Sequence, residues 1–309
     1  MVIAKTPGGT IIDLSGDIRR RRRERLVKAV FFAAATFSIL ISLAIVLALV
    51  GKASSFVSSI ELNQLWADGW FPRRGRFQLP ALLVHSLIIT GIAMLVAVPF
   101  GLGSAVYLSE YARSGVRRVL KPTLEILAGI PSVVLGFFAL QFISPNIVRG
   151  LFPGAQSANL LSAGIAVGIL TVPLVASVAE DAMRAVPLSL REASYGLGAK
   201  RWHTALRVVF PAAISGIIAA MILGISRAVG ETMVVALAAG LNGILNLNPI
   251  EGGLTMTGAM ANLAVGSDQV AGDVSAFQSL FFVGLVLFAL TLGLNVMSER
   301  LVRRYRQRY

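Results

Sequence analysis

The chain has 309 residues, of which 56% are hydrophobic and only 14% are charged. Soluble domains carry about 25% charged residues, so this composition excludes a soluble single-domain enzyme. The sequence contains no cysteine, which excludes disulfides, thiolate zinc sites and iron–sulfur clusters. The formal net charge of +13 would suit nucleic-acid binding, but the placement of the basic residues indicates a different role.

Six apolar stretches are each long enough to cross a bilayer as a helix, which takes about 20 residues. Pro99 and Pro131 predict kinks in the second and third of them, because proline removes a backbone donor. The pattern predicts an all-α integral membrane protein with six transmembrane helices in a lipid bilayer. These lie near residues 27–50, 81–108, 123–143, 159–179, 211–241 and 277–297.

Lysine and arginine concentrate in the two termini and in the second-to-third and fourth-to-fifth connections. Because basic loops stay on the cytoplasmic side of a membrane, this distribution predicts that both termini are cytoplasmic. The arginine run at residues 19–23 directly precedes the first apolar stretch, and we interpret it as a membrane anchor. Nucleic acid is therefore not expected as a partner.

The connection between the fourth and fifth stretches, residues 180–211, is the most informative part of the sequence. Pro187 ends one helical segment. Ser189 stands three residues before Glu192, which is the spacing of a capping box that opens a new helix. Gly196 and Gly198 break that helix, and an amphipathic stretch over residues 201–210 follows. The loop is either a plain re-entry hairpin or an element that docks into a partner's groove.

This loop resembles the EAA signature of ABC-importer permeases, which reads Glu-Ala-Ala, three residues, Gly, nine residues, Ile, one residue, Leu, Pro. The spacing agrees throughout. The resemblance implies a coupling helix that inserts into a cleft of a separate ATPase subunit. The matching residues are Glu192, Ala193, Gly198 and Pro211, with conservative departures at Ser194, Val208 and Phe210.

A finer resemblance to the phosphate-specific branch of these permeases, and to its C-type subunit, covers most of the chain from residue 82 onward. It implies the type I ABC importer permease (MetI-like) fold in the bacterial inner membrane. It also implies a heterodimeric channel with a second, A-type permease, two copies of an ATP-binding subunit and a periplasmic phosphate-binding protein. The segments that carry it are VPFGLGSAVYLSEYA (98–112), LKPTLEILAGIPSVVLGFFAL (120–140), RAVGETMVV (227–235) and LFFVGLVLFALTLGLN (280–295).

The sequence contains no phosphate-binding loop of the type G-x-x-x-x-G-K-[ST]. ATP and Mg are therefore expected to be bound by the partner ATPase, and this chain is expected to hold no cofactor or metal and to be a transport subunit rather than an enzyme. The predicted domain organisation follows the same logic. A basic tail (1–26) precedes the first transmembrane helix and outer loop (27–80), the permease core (81–299) contains the coupling loop (180–211), and a second basic tail ends the chain (300–309).

Arg227 and Glu231 lie four residues apart within the fifth apolar stretch, so we expect them on one helix face. They are either an ion pair that fixes packing or part of an anion's path. In the second case Arg227 attracts phosphate, and Glu231 accepts a hydrogen bond from the P–OH of hydrogen phosphate while repelling sulfate. Thr232 and Ser132, which follows Pro131, are further candidates.

Three alternatives are weighed from sequence. The first keeps this architecture with another small cargo, such as sulfate or molybdate. The second is an ion-coupled secondary transporter with Arg227 and Glu231 as a relay, which leaves the cytoplasmic signature unexplained. The third is a membrane-embedded enzyme, for which the sequence offers no cysteine, no histidine cluster and no paired carboxylates within a span.

Three further patterns predict packing rather than transport. Gly164 and Gly168 form a small-residue face that suits close helix contact. His85 is interpreted as a packing residue rather than a proton relay. Glu125 is expected to pair with Lys121, one helical turn earlier.

Overall fold

The computed structural model describes residues 3–5, 11–13, 18–66, 68–265 and 274–305, and these are predominantly helical. The chain divides into two compact units, residues 1–51 and 52–309. The elements are β1 (Ile3–Lys5), β2 (Ile11–Asp13), α1 (Ile18–Ser59), β3 (Trp70–Phe71), β4 (Arg76–Phe77), α2 (Leu79–Val106), α3 (Ser114–Ala128), α4 (Ser132–Phe138), α5 (Arg149–Leu151), α6 (Leu160–Arg184), α7 (Leu188–Gly196), α8 (Arg201–Thr204), α9 (Phe210–Ala212), α10 (Ile214–Val229), α11 (Met233–Ala238), α12 (Met256–Val265) and α13 (Val274–Tyr305).

Three of these helices are extended by π-helical turns, and two separate 3-10 turns lie between the elements. The segments Tyr107–Tyr111, Ala139–Val148 and Ala205–Val209 are π-helical and continue α2, α4 and α8. Short 3-10 turns cover Leu62–Trp66 and Pro72–Arg74. The strands form two small antiparallel pairs, β1 with β2 in the first unit and β3 with β4 in the second.

Five described helices are long and apolar enough to cross a membrane, so the chain is a multi-pass membrane protein. A sixth span is formed if two helices that meet at 73°, Arg201–Ala212 and Ile214–Val229, are taken together. The other five are Arg22–Ser59, Leu79–Tyr111, Ser132–Leu151, Leu160–Arg184 and Ser275–Arg303.

The structure corrects the predicted third span. Residues 123–128 belong to α3, a separate amphipathic helix in which no residue is buried. The chain then turns, Pro131 occupies the N-cap position of α4, and the membrane helix begins at Ser132. Pro131 therefore separates two helices instead of kinking one.

The predicted fifth span, residues 211–241, is also interrupted. Helix α10 ends at Val229 with Gly230 as its C-cap, and the chain restarts as α11 at Met233. The outer helices are longer than predicted, since α1 reaches Ser59 and α13 reaches Tyr305. Residues 306–309 of the predicted basic tail, and residues 266–273 of the loop before α13, lie outside the described residues.

The packing of α2 against α6 forms the centre of the second unit. A Cβ at Gly164 would lie 2.7 Å from the Cβ of Ile92, and one at Gly168 would lie 2.9 Å from the carbonyl oxygen of Ala93. Only glycine permits such a close approach of the two helices. The predicted small-residue packing face is therefore confirmed.

Residues 239–255, which we call the strap, fold over the amino-terminal end of α6. The backbone N–H groups of Leu160 and Leu161 donate to the carbonyls of Glu251 and Pro249 at 3.0 and 2.8 Å. These bonds satisfy donors that the first turn of a helix leaves free. The imidazole of His85, fully buried on α2, contacts the Leu254 carbonyl through Nδ1 at 3.0 Å and accepts the Asn246 N–H through Nε2 at 3.3 Å.

The role of His85 follows from these two bonds. Because Nε2 accepts, Nδ1 carries the proton that is donated to Leu254. The predicted packing role of this residue is confirmed, since the ring ties the strap to α2.

Candidate functional site

The segment from α7 to α9, residues 188–212, forms a short helical hairpin at the carboxyl-terminal end of α6. Helix α7 ends at Gly196. Gly198 has a φ of +78°, a left-handed backbone conformation that residues other than glycine rarely adopt. This geometry lets the N–H groups of Gly198 and Ala199 donate to the carbonyls of Tyr195 and Ser194. The turn therefore explains why the sequence has glycine here.

A pair of hydroxyl groups joins the two arms of the hairpin. The Oγ of Ser194 lies 2.8 Å from the Oγ1 of Thr204, and both residues are buried. Ser194 stands where the importer signature has alanine. The departure is therefore explained by a hydrogen bond between α7 and α8.

The hairpin carries an open groove of about 720 Å³. Its walls include Leu197 and Trp202, which are 89% and 52% exposed, together with Lys200. Glu192 and Ala193 are exposed on the adjoining arm. A surface of this kind, apolar at its centre with charge beside it, suits a protein partner.

The capping box predicted at Ser189 and Glu192 is wrong. Helix α7 begins one residue earlier, at Leu188, and Pro187 occupies the N-cap position without a side-chain cap. The carbonyls that precede this helix bond instead to the side chain of Arg191. Its Nη1 donates to Val186 at 2.6 Å and its Nη2 donates to Met183 at 2.8 Å.

The same arginine binds a buried carboxylate on another membrane helix. Arg191 Nη2 donates to Glu110 Oε1 at 3.0 Å, and the two side chains are 12% and 4% exposed. Glu110 lies in the π-helical turn that ends the second span. Sequence reasoning missed this pair because the two residues are 81 positions apart.

A second ion cluster lies nearby, around the fully buried Glu180 of α6. Arg117 reaches Glu180 at 2.6 Å and Lys121 reaches it at 2.9 Å, and Lys121 also binds Asp181 at 2.8 Å. These contacts attach α3 to α6. The expected pairing of Lys121 with Glu125 is wrong, since α3 turns its basic side toward α6.

The hydrogen bond to Asp181, and after it the contacts with Glu180, hold the pKa of the Lys121 ammonium above its ordinary value. In the sequence, Arg117 was visible only as a charge that sets the topology, and Lys121 was assigned to the wrong partner, Glu125. Their spacing of four residues on an amphipathic helix is the signal that could have indicated a shared acidic partner.

The structure separates the two membrane candidates expected on one helix face. Arg227 lies exposed in the last turn of α10, whereas Glu231 lies beyond the end of that helix. The Oε1 of Glu231 accepts the N–H groups of Met233 and Val234 at 3.1 and 3.3 Å, so Glu231 caps α11. Among the described residues there is no ion pair between Arg227 and Glu231. The helix ends with Gly230 as its C-cap, so Glu231 lies two residues beyond the last residue of α10.

Of the other two candidates, Thr232 lies in this break and Ser132 begins a helix that packs against α11. Thr232 occupies the N-cap position of α11 and donates to the Gly230 carbonyl at 3.3 Å. Ser132 opens α4, and α4 packs against α11 so closely that a Cβ at Gly136 would lie 3.2 Å from the Met233 carbonyl oxygen. Ser132, Thr232 and Glu231 thus belong to two contacting helices, and Arg227 ends the preceding helix.

Across the residues that the structure describes, no group of three or more histidine, aspartate or glutamate side chains could hold a metal ion. The polar groups around the break instead offer hydrogen-bond donors and one carboxylate. Such a set can recognise an oxyanion that carries a proton.

The fold and the hairpin together define the class of protein. A helical membrane bundle with a short helical hairpin beyond its spans is the architecture of an importer permease. Residues 97–307 match the family described as "Binding-protein-dependent transport system inner membrane component", and the chain belongs to this family. The resemblance to importer permeases that the sequence indicated is thereby confirmed.

Two similar proteins illustrate the range of relatives. The "Probable ABC transporter permease protein YqgH" of Bacillus subtilis (strain 168) is 35% identical over 76% of this chain and 73% of its own length. The "Phosphate transport system permease protein PstC" of Xylella fastidiosa (strain 9a5c) is 28% identical over 97% of this chain and 94% of its own.

Solved structures share the fold at low sequence identity. A bacterial ABC transporter involved in the import of the acidic polysaccharide alginate matches with a TM-score of 0.61 and 15% identity, over 91% of this chain and 98% of that one. The MetNI methionine ABC transporter in an inward-facing conformation matches with a TM-score of 0.55 and 17% identity, over 80% and 100%. The predicted all-α importer-permease fold is confirmed.

Proposed function

We propose that the chain is one permease subunit of an ATP-driven importer that moves inorganic phosphate into the cytoplasm. The observation that carries the proposal is the likeness, across 97% of the chain, to a relative named as a phosphate transport system permease. The importer fold and the polar break around Glu231 support it. We place the complex in the bacterial inner membrane, with both termini of this chain in the cytoplasm.

The proposed complex contains a second, A-type permease, two copies of an ATP-binding subunit and a periplasmic phosphate-binding protein. The hairpin docks into the ATPase through the face that carries Glu192, Ala193 and the cavity beside Ser194. Gly198 sets the turn of this docking element, and Pro211 stands at its end, near the 73° bend. ATP and Mg²⁺ are bound by the ATPase, and this chain transmits the resulting motion.

In the proposed transport path Arg227 attracts the anion, because a guanidinium offers a planar fork of donors that suits phosphate oxygens. Glu231 then distinguishes hydrogen phosphate from sulfate. Within the described residues both hydrogen bonds of its carboxylate go to Oε1. We assign Oε2 to accept the P–OH group, which sulfate lacks at neutral pH. The hydroxyls of Ser132 and Thr232 are further donors along this path.

In this proposal alternating access depends on the hairpin and on the break between α10 and α11. Closure of the two ATPases displaces the hairpin, and the bundle exchanges an outward opening for an inward one. The interrupted fifth span allows α10 and α11 to move as separate segments. In this scheme the anion passes the break while the two segments change their relative position.

The test is the ATPase activity of the reconstituted complex, with its binding protein loaded in turn with phosphate, sulfate and molybdate. We expect stimulation by phosphate alone. Equal stimulation by sulfate or molybdate would retain the importer and overturn both the cargo and the role of Glu231. Replacement Arg227→Gln should abolish uptake, whereas Arg118→Gln, an exposed arginine of α3, serves as the charge-matched control.

A further inference from the structure

We propose that Arg191 is the positioning residue that makes the hairpin move together with the membrane helices α2 and α6. The inference rests on the proposed coupling of the hairpin to an ATPase. Leu190 and Val209 of the hairpin already belong to one apolar cluster with Ala105 of α2 and Met183 of α6. Arg191 adds the charged connection to this packing, and without it a smaller part of the hairpin's displacement should reach the transport path.

The geometry joins three elements at one guanidinium. Arg191 lies in the first turns of α7 and donates to the Met183 carbonyl in the last turn of α6 and to the Val186 carbonyl just beyond it. Its Nη2 and Nε reach the two carboxylate oxygens of Glu110, at 3.0 and 3.5 Å, at the end of the second span. The planar fork of donors is therefore engaged on both sides.

Burial makes these contacts restrictive. Arg191 and Glu110 are 12% and 4% exposed, so water competes little for their charged groups. Hydrogen bonds between charged partners are shorter and about twice as strong as neutral ones. The carbonyls of Met183 and Val186 stand at the negative end of the α6 dipole, which favours a cation there.

The covalent connection alone would not transmit a displacement. Only residues 185–187 separate α6 from α7, and so short a link allows α7 to pivot about its own start. Arg191 is attached to α6 and α2 on the far side of this link. A hairpin held at two such points turns the helices with it instead of rotating freely.

The cluster around Glu180 provides an internal comparison. It is also a buried ion cluster on α6, but it attaches α3, and in the described part of the chain none of its ion pairs reaches the hairpin. Replacement Arg117→Gln should therefore weaken the fold without separating ATP hydrolysis from transport. This makes Arg117→Gln the control for destabilisation and Arg118→Gln the control for lost charge.

The first experiment measures phosphate uptake per ATP hydrolysed in the complete reconstituted complex. For Arg191→Gln we expect retained ATP hydrolysis and a ratio that falls about fivefold or more, the lower range of measured coupling between sites. Glu110→Gln should act in the same direction, and the double variant should lose no more than Arg191→Gln. Arg191→Lys should restore part of the ratio.

Two results would overturn the proposal. One is an unchanged ratio in Arg191→Gln, including the case in which hydrolysis and uptake fall in proportion because the fold is damaged. The other is an equal fall of the ratio in Arg117→Gln.

The second experiment does not depend on the cargo. Because the sequence has no cysteine, two spin labels can be placed at Gly103→Cys on α2 and Ser189→Cys on α7, both exposed positions. We expect a narrow distance distribution that broadens in Arg191→Gln and stays narrow in Arg117→Gln. An unchanged distribution in Arg191→Gln contradicts the proposal. If phosphate does not stimulate ATP hydrolysis by the complex but Arg191→Gln still broadens the distance distribution, only the proposed function is contradicted.

Discussion

The hydroxyl oxygens of Ser194 and Thr204 lie 2.8 Å apart between the two arms of the hairpin. Ser194 is one of the positions at which this chain departs from the importer signature, and Thr204 is its structural counterpart. The departure adds a bond that holds α7 on α8 behind the docking face.

Replacement Ser194→Ala, which restores the signature residue, removes this bond and should destabilise the hairpin by ~1 kcal/mol. Hydrogen exchange in α7 should then be about fivefold faster, because local opening costs less free energy. The double variant Ser194→Ala/Thr204→Val removes both polar groups and should be closer to wild type than the single one. Ser189→Ala, at an exposed serine of the same helix, is the control. Slower exchange in Ser194→Ala would contradict the role of the pair.

Glu231 has two separable roles, one as a cap of α11 and one as a carboxylate in the proposed path. Glu231→Gln keeps an oxygen that can accept the N–H groups of Met233 and Val234 but removes the charge. We expect normal assembly, reduced phosphate uptake, and inhibition by excess sulfate on the side of the binding protein.

Glu231→Ala should show the same loss of selectivity together with a further destabilisation of ~1 kcal/mol from the lost cap, measured by thermal unfolding of the complex. If Glu231→Gln still excluded sulfate, the carboxylate would be a cap and nothing more.

Lys121 should make the attachment of α3 depend on pH only in alkaline solution. Its pKa is raised in the folded chain by Asp181 and Glu180. A raised pKa contributes stability that is fully present below the pKa of the unfolded chain and is lost as the pH rises through the folded value. The unfolding temperature should therefore not respond to this group at neutral pH. It should fall as the pH rises above 10.5, the ordinary pKa of the group.

Replacement Lys121→Met should lower the unfolding temperature at neutral pH and reduce the alkaline decline, whereas Arg118→Gln should leave both unchanged. An alkaline decline of the same size in Lys121→Met would assign it to other groups.

His85→Phe preserves a buried ring but removes both contacts to the strap. It leaves the Leu254 carbonyl and the Asn246 N–H without their partner, at a cost of ~1–3 kcal/mol for each buried group. Hydrogen exchange across residues 239–255 should rise, while exchange in the hairpin at the other end of α6 should not. Leu87→Ala, at an exposed position of the same helix, should change neither.

The spans and the hairpin could be predicted because each is encoded locally. Apolar runs of membrane length predict spans, and the glycine at position 198 predicts a turn, without any information about distant residues. The helix interruptions were harder, since the apolar run from 123 to 143 continues through the turn before Ser132. Hydropathy does not distinguish a surface helix followed by a span from one long span.

The polar connections could not be derived from spacing at all. Glu110 and Arg191 are joined by the packing of α2 on α6, which brings together residues from two helices that are far apart in sequence. Glu231 changed its role because one glycine ended α10 and made the carboxylate a cap. In both cases tertiary contact decided which partner a charge found.

The distance in sequence between Glu110 and Arg191 also bears on how the chain is made. Glu110 leaves the ribosome 81 residues before its partner, which at 5–20 residues per second is a delay of about 4 to 16 s. Until then the guanidinium of Arg191 is not available to this carboxylate. The contact that ties the second span to the hairpin can therefore form only after the fourth span has been synthesised.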